Sequence, residues 1–279
     1  MSPLARVVLC ALLGCWAAPL AAQWPSVPTN LPQTRSGAPN LTAPTPKRTD
    51  GKTPDLSGTW GAEKRVCDET RAALGCIDAQ GGGVPIGFAN ISGGTDDPLP
   101  MQPWVEALVK QRRANGGKDD PFARCLPVSV PRGWATFYVL KLIQTADTLA
   151  VLDEYMLQFR QIFMDGRSLP KNAEPLFKGY SVGKWEGDTL VVETTGFRDD
   201  GWLDLWGHPL TDQGRTIERI RRVNVGSLEV QLTVDDPKAY TKPWSVTRKL
   251  SLIPNTELLE YVCNENEKSL QHMVGADVK

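Results

Sequence analysis

From residue 137 onward, apolar and polar residues alternate with a period of two, interrupted at short intervals by turn residues. Segments 137–144 and 148–154 are joined by a short polar turn, and 157–164 stops at Asp165-Gly166, a strong turn pair. Segments 180–185 and 189–197 flank the three-residue loop Glu186-Gly187-Asp188, and 216–223 and 228–235 flank 224–227. Segments 244–253 and 257–263 meet at Pro254-Asn255-Thr256, and a short Leu/Trp strand at 56–60 opens the folded part. No helical period separates these strands, so parallel βαβ units are excluded. A long antiparallel meander closes on itself to remove its edges. The expected fold is therefore mainly β: an antiparallel up-and-down, lipocalin-like β-barrel with one short helix and long N-terminal loops.

The helix is expected over 103–115. Pro103 suits its first turn, Trp104, Val105, Leu108 and Val109 form an apolar stripe, and Gly116-Gly117 ends it. Elsewhere between 61 and 131 periodicity fades. The glycine runs at 81–83 and 93–94 read as surface loop, because no Lys-Ser or Lys-Thr pair follows them as a phosphate-binding loop requires.

The N-terminus reads as a targeting segment. Arg6 precedes an apolar run over 7–16, and small residues lead to a cleavage site after Ala22. The run is shorter than the roughly 20 residues of a membrane span. An alternative is lipidation at Cys15, after Leu12-Leu13-Gly14. Residues 23–54, rich in Pro, Thr, Ser and Asn, read as a flexible linker, and 55–279 as one barrel domain with a loop and helix insertion at about 61–131. Asn40-Leu41-Thr42 and Asn90-Ile91-Ser92 match a glycosylation pattern that is frequent by chance.

After removal of the leader, Cys67, Cys76, Cys125 and Cys263 remain, an even number in an oxidising compartment. Three pairings are possible, of which Cys67–Cys76 with Cys125–Cys263 is favoured. A zinc site would need C-x-x-C spacing and more histidines, so no metal is expected. Lys and Arg total 31 against 32 Asp and Glu, with no long basic run, which argues against a nucleic-acid partner.

On 228–235, Leu228, Val230, Leu232 and Val234 share one face opposite Glu229, Gln231, Thr233 and Asp235. On other strands charges fall among apolar positions, notably Arg160, Glu193, Glu218 and Arg222. Two placements are open: cross-strand ion pairs on the outer surface, or inward groups paired around a ligand. Tyr180, Trp202 and Trp206 complete the candidate binding set with Arg160, Glu218 and Arg222. For catalysis, His208 lies four residues beyond Asp204, and with Asp204 or Glu193 it would form an acid–base pair. The plain alternative is a loop histidine beside a solvated carboxylate. No G-x-S-x-G nucleophile elbow and no cofactor motif occur.

The runs FRQIFMDGR (159–167), GYSVGKWEGDTLVVETTGF (179–197), WLDLWGHP (202–209), ERIRR (218–222), DDPKAYTKPW (235–244) and LLEYVCNEN (258–266) resemble a large family of exported bacterial proteins without settled activity. The resemblance spans about 119–266. Many members carry histidines where this chain has Leu169 and Leu210, which weakens a histidine-metal reading. The resemblance implies export and a barrel fold. Three functions follow as expectations: a periplasmic or secreted barrel binding a small, partly apolar or aromatic molecule; a barrel-shaped lyase, isomerase or hydrolase using His208; or a polysaccharide-binding envelope protein.

Overall fold

The computed structural model describes residues 30–65, 83–94 and 98–263. The leader, Cys15, Cys67 and Cys76 lie outside them. Strands follow in chain order as β1 (Gly58–Ala62), β2 (Lys64–Arg65), β3 (Val84–Pro85), β4 (Leu140–Gln144), β5 (Thr148–Asp153), β6 (Gln158–Phe163) and β7 (Tyr180–Glu186). Then come β8 (Thr189–Thr195), β9 (Gly201–Trp202), β10 (Pro209–Leu210), β11 (Arg215–Asn224), β12 (Ser227–Asp235) and β13 (Trp244–Leu252). Helix α1 (Pro103–Ala114) and a single helical turn, α2 (Val130–Gly133), lie in the insertion.

Nine of these strands close into a barrel in the order β1-β13-β12-β11-β8-β7-β6-β5-β4. Alternating directions cannot close a ring with an odd number of members, so one junction has to be parallel. That junction is β6–β7; every other neighbouring pair is antiparallel. A parallel pair needs a long return connection, supplied by residues 164–179. The meander is thus antiparallel except at this seam.

Inside, the period of two puts Trp60, Leu142, Leu149, Ile162, Leu190, Ile220, Val230 and Leu250 into one core. The opening strand, expected over 56–60, runs over Gly58–Ala62; the Trp60 indole is buried and its Nε1 donates to the Leu56 carbonyl at 3.1 Å. The interior is packed rather than hollow. Both ends are covered too. At one end the Pro-rich stretch expected to be a loose linker is, from Leu31 onward, laid against the barrel. Val225 and Gly226 donate to the carbonyls of Ala43 and Leu41, and Leu31, Leu41 and Ala43 join the core. Polar composition did not leave it unpartnered, because its backbone groups find barrel partners.

At the other end a second core gathers Ile91, Val105, Val109, Phe197, Leu203, Leu210, Leu232, Tyr240 and Trp244. Helix α1 forms as its sequence predicts: Pro103 sits in its first turn, Glu106 is near its N-terminus and Arg112 and Arg113 near its C-terminus, matching the helix dipole. Val105 and Val109 are its buried stripe, whereas Trp104 is exposed.

Segment 257–263 does not form the expected strand. Because β1 already fills the place between β13 and β4, no edge is left for it. It is held instead by the Cys125–Cys263 disulfide, Cα–Cα 5.6 Å, and by Tyr261 packing on Tyr138 at 4.9 Å. No helix among the described residues is long and apolar enough to cross a membrane.

The disulfide closes a loop of 138 residues, so in the chain-entropy account Cys263→Ser is expected to cost about 4–5 kcal/mol. Urea denaturation under oxidising conditions measures this, and an unchanged midpoint would contradict it.

Candidate functional site

The parallel seam is where the barrel wall opens. On one side β6 pairs along its whole length with β5, from Thr148↔Phe163 to Asp153↔Gln158. On the other, β7 takes only Ile162 and Phe163, opposite Ser181 and Val182. Residues 158–161 therefore keep one edge without a strand partner among the described residues. Between that edge and residues 176–181 runs a groove of about 510 Å³. Its wall is apolar, with Leu157, Phe159, Phe163, Leu176 and Tyr180 prominent. Phe159 is 67 % exposed, Leu157 55 % and Leu176 47 %, a concentration of large apolar side chains that a plain outer surface does not need.

Beneath the groove the barrel interior is polar. Arg160, pointing inward from β6, meets Glu218 from β11: Nη1 donates to Oε1 at 3.0 Å and Nη2 donates to Oε2. The guanidinium also donates from Nε to Ser181 Oγ at 3.0 Å and from Nη2 to Thr194 Oγ1 at 2.9 Å. Trp134, placed just after α2, donates its Nε1 to Glu218 Oε1 at 2.6 Å. Arg160 and Glu218 are both buried, and this fork-to-fork arrangement with added hydrogen bonds is what lets two charges stay out of water.

A second buried pair lies alongside. Lys178 Nζ is 3.3 Å from Asp153 Oδ2. Burial pushes the Lys178 amine below the ordinary lysine range and the Asp153 carboxyl above the ordinary aspartate range. Lys178 turns inward because the next residue, Gly179, has φ +60 and carries no Cβ, which would stand 2.7 Å from the Thr195 carbonyl. Gln158 lines the same groove, and its buried side-chain amide has no hydrogen-bond partner among the described residues on either its nitrogen or its oxygen.

The candidate residues thus separate. Arg160 and Glu218 pair inside the barrel behind the seam, and Tyr180 lines the groove. Glu193 points outward from β8 and pairs with Arg215 Nη2 at 2.5 Å, both about two-fifths exposed. It is a surface ion pair because Val192 and Thr194 take the inward positions of that strand. Arg222 points inward at the far end, where it donates to the carbonyls of Asp55, Ser57 and Val225 and lies 4.9 Å over the Trp60 ring. Burial lowers its pKa to about 10. It ties down the N-terminal strap rather than lining the groove.

The loop expected as a pocket rim is part of the second core. Asp204 and His208 are both 0 % exposed. Asp204 accepts from the backbone N–H groups of Ile91, Gly207 and His208, and its Oδ2 lies 2.5 Å from His208 Nδ1. This cluster ties a hairpin loop to the insertion. Trp202 and Trp206 are covered by Arg112 and Arg113, at 4.2 and 3.9 Å from their rings, so those faces do not await a ligand. No group of three or more His, Cys, Asp or Glu among the described residues is placed to hold a metal ion.

Fold and site together define a filled, nearly antiparallel β-barrel with an apolar groove in its wall above two buried ion pairs. Comparison with protein-family models and with curated proteins finds no match for this chain.

Removing one member of the Arg160–Glu218 pair strands a buried charge. Glu218→Leu is expected to cost about 3–5 kcal/mol, and adding Arg160→Met to recover most of it; Glu193→Gln should cost under about 1 kcal/mol. Urea denaturation of the three variants checks the order, and equal costs for Glu218→Leu and Glu193→Gln would contradict the buried placement.

Lys178, faced by Asp153 from β5, Arg160 from β6 and Glu218 from β11, has a folded pKa below its ordinary 10.5. Its contribution to stability is therefore largest above 10.5 and is lost as pH falls through the folded value. Relative to Lys178→Met, the wild type should gain stability as pH rises from the folded value toward 10.5. A difference that does not change with pH would contradict it.

Proposed function

We propose that this protein is an exported β-barrel that binds a small, partly apolar or aromatic molecule in the groove at the β6–β7 seam. The observation that carries the reading is the groove itself, with apolar walls over a few fixed polar groups. Small-molecule sites combine a concave apolar lining with a small number of placed polar groups, within a volume of about 300–1,000 Å³. The groove's roughly 510 Å³ falls inside that range. Export is supported by the leader-like N-terminus, by the resemblance to exported bacterial proteins and by the Cys125–Cys263 disulfide, a bond that persists in oxidising compartments.

An acid–base role for His208 finds no support in the geometry, since the ring is buried in a loop core away from the groove.

Titration with N-phenyl-naphthylamine, a neutral apolar fluorophore, tests the reading. Phe159→Glu and Leu176→Glu, both at exposed positions, should each weaken binding by roughly tenfold or more, the value of losing about 1.5 kcal/mol of apolar burial. Glu193→Gln on the outer face should leave it unchanged. Equal affinity in all four proteins would remove the groove as the site. Native mass spectrometry of the exported protein should in addition show a co-purifying small molecule.

A further inference from the structure

Lys178 borders two spaces at once. On its outer side is the apolar groove. On its inner side is a cavity of about 20 Å³, shared with Asp153, Trp134, Gly133 and Arg160. That is room for one water molecule, with Val130, Leu140 and Val151 completing a mostly apolar lining. The side chain of Lys178 is 15 % exposed and that of Asp153 2 %; Lys178 lines both the groove and the inner cavity, with its Nζ toward Asp153, which lines the inner cavity. Gly133 leaves the space beside Nζ open: a Cβ there would come within 3.4 Å of it.

The charges in the floor limit what the groove can accept. Arg160, Glu218, Lys178 and Asp153 form two ion pairs and sum to zero. A ligand bringing its own charge would bury it without a counter-ion, which is costly. An uncharged polar head avoids that cost. A desolvated lysine in an apolar pocket, held partly as the free amine, is a nucleophile toward carbonyl carbon.

We propose that Lys178 is a reactive amine that captures an apolar aldehyde or ketone from the groove as an imine, with Asp153 as its proton partner. This rests on the groove being the ligand site. The free amine of Lys178 adds to the carbonyl carbon, and the carbonyl electron pair moves to oxygen. Asp153 gives its proton to that oxygen and takes one from nitrogen, leaving a neutral carbinolamine. A second proton from Asp153 lets the hydroxyl leave as water, and the nitrogen lone pair forms C=N. The protonated imine then faces the Asp153 carboxylate. One water is released, nothing is oxidised or reduced, and the inner cavity is large enough to take that water.

The test uses the full mature protein, decanal and sodium cyanoborohydride near neutral pH, with peptide mass mapping of decyl adducts. The adduct at Lys178 should exceed that at each surface lysine by roughly tenfold or more, as expected of an activated amine. Decanol, which has the same tail but no carbonyl, should suppress the Lys178 adduct and leave the surface adducts unchanged. Asp153→Asn should reduce the Lys178 adduct by roughly tenfold; the decanol competition needs no variant and stands if this one does not fold. Labelling of surface lysines without Lys178, or a Lys178 adduct indifferent to decanol, overturns the proposal. If decanal and decanol displace N-phenyl-naphthylamine but Lys178 is not alkylated, imine formation fails while the binding site stands. If neither displaces it and Lys178 is unlabelled, both fail.

Discussion

A ring of nine strands cannot alternate in direction all the way round, and much of what is distinctive here follows from that parity. Closure removes the exposed edges that a meander would otherwise present, but it forces one parallel junction. Parallel pairing needs a return connection, and residues 164–179 provide it while β6 and β7 touch over only Ile162 and Phe163. The wall is consequently incomplete at one place. There the backbone edge of β6, its outward aromatic side chains and its inward arginine are all brought to one groove.

Described residues cover both ends of the barrel. Residues 31–57 lie over one end, held by Arg222 and by backbone hydrogen bonds to Val225 and Gly226. The insertion, α1 and the loop around His208 fill the other. The interior among the described residues is packed around Trp60 and its neighbours. Two buried ion pairs remain in the lower interior because each charge has its counter-ion and, for Arg160 and Glu218, a full set of hydrogen bonds. Their arrangement puts preorganised polar groups directly behind the gap in the wall at β6–β7.

The barrel was legible in the sequence because its signal is local: a period of two, a tight turn at Glu186-Gly187-Asp188, and no helices between strands; Asp165-Gly166 instead opens the long return to the parallel β7. The last segment, 257–263, misleads for a reason no local pattern carries, since whether an edge remains depends on where β1 inserts. The site was legible only in part. Arg160 and Glu218 stand out as charges at apolar phase, and Phe159 and Phe163 on the opposite face of the same strand were a usable sign of an exposed apolar patch. Lys178, Asp153, Gln158 and Trp134 give no such sign, because their meeting depends on the return loop and on α2 reaching the barrel from distant positions. His208 and Asp204 illustrate the reverse error: a histidine four residues from a carboxylate has the spacing of an acid–base pair, and here that spacing closes a buried turn.

The central claim is that the gap in the wall at β6 is where a ligand binds. Hydrogen–deuterium exchange with and without N-phenyl-naphthylamine addresses it most directly, because residues 158–161 keep a backbone edge without a strand partner among the described residues. The account predicts fast exchange along that edge in the free protein, and slower exchange at 158–161 and 176–181 on binding, with the loop around His208 unchanged. Protection confined to the His208 loop or to the barrel ends would contradict it.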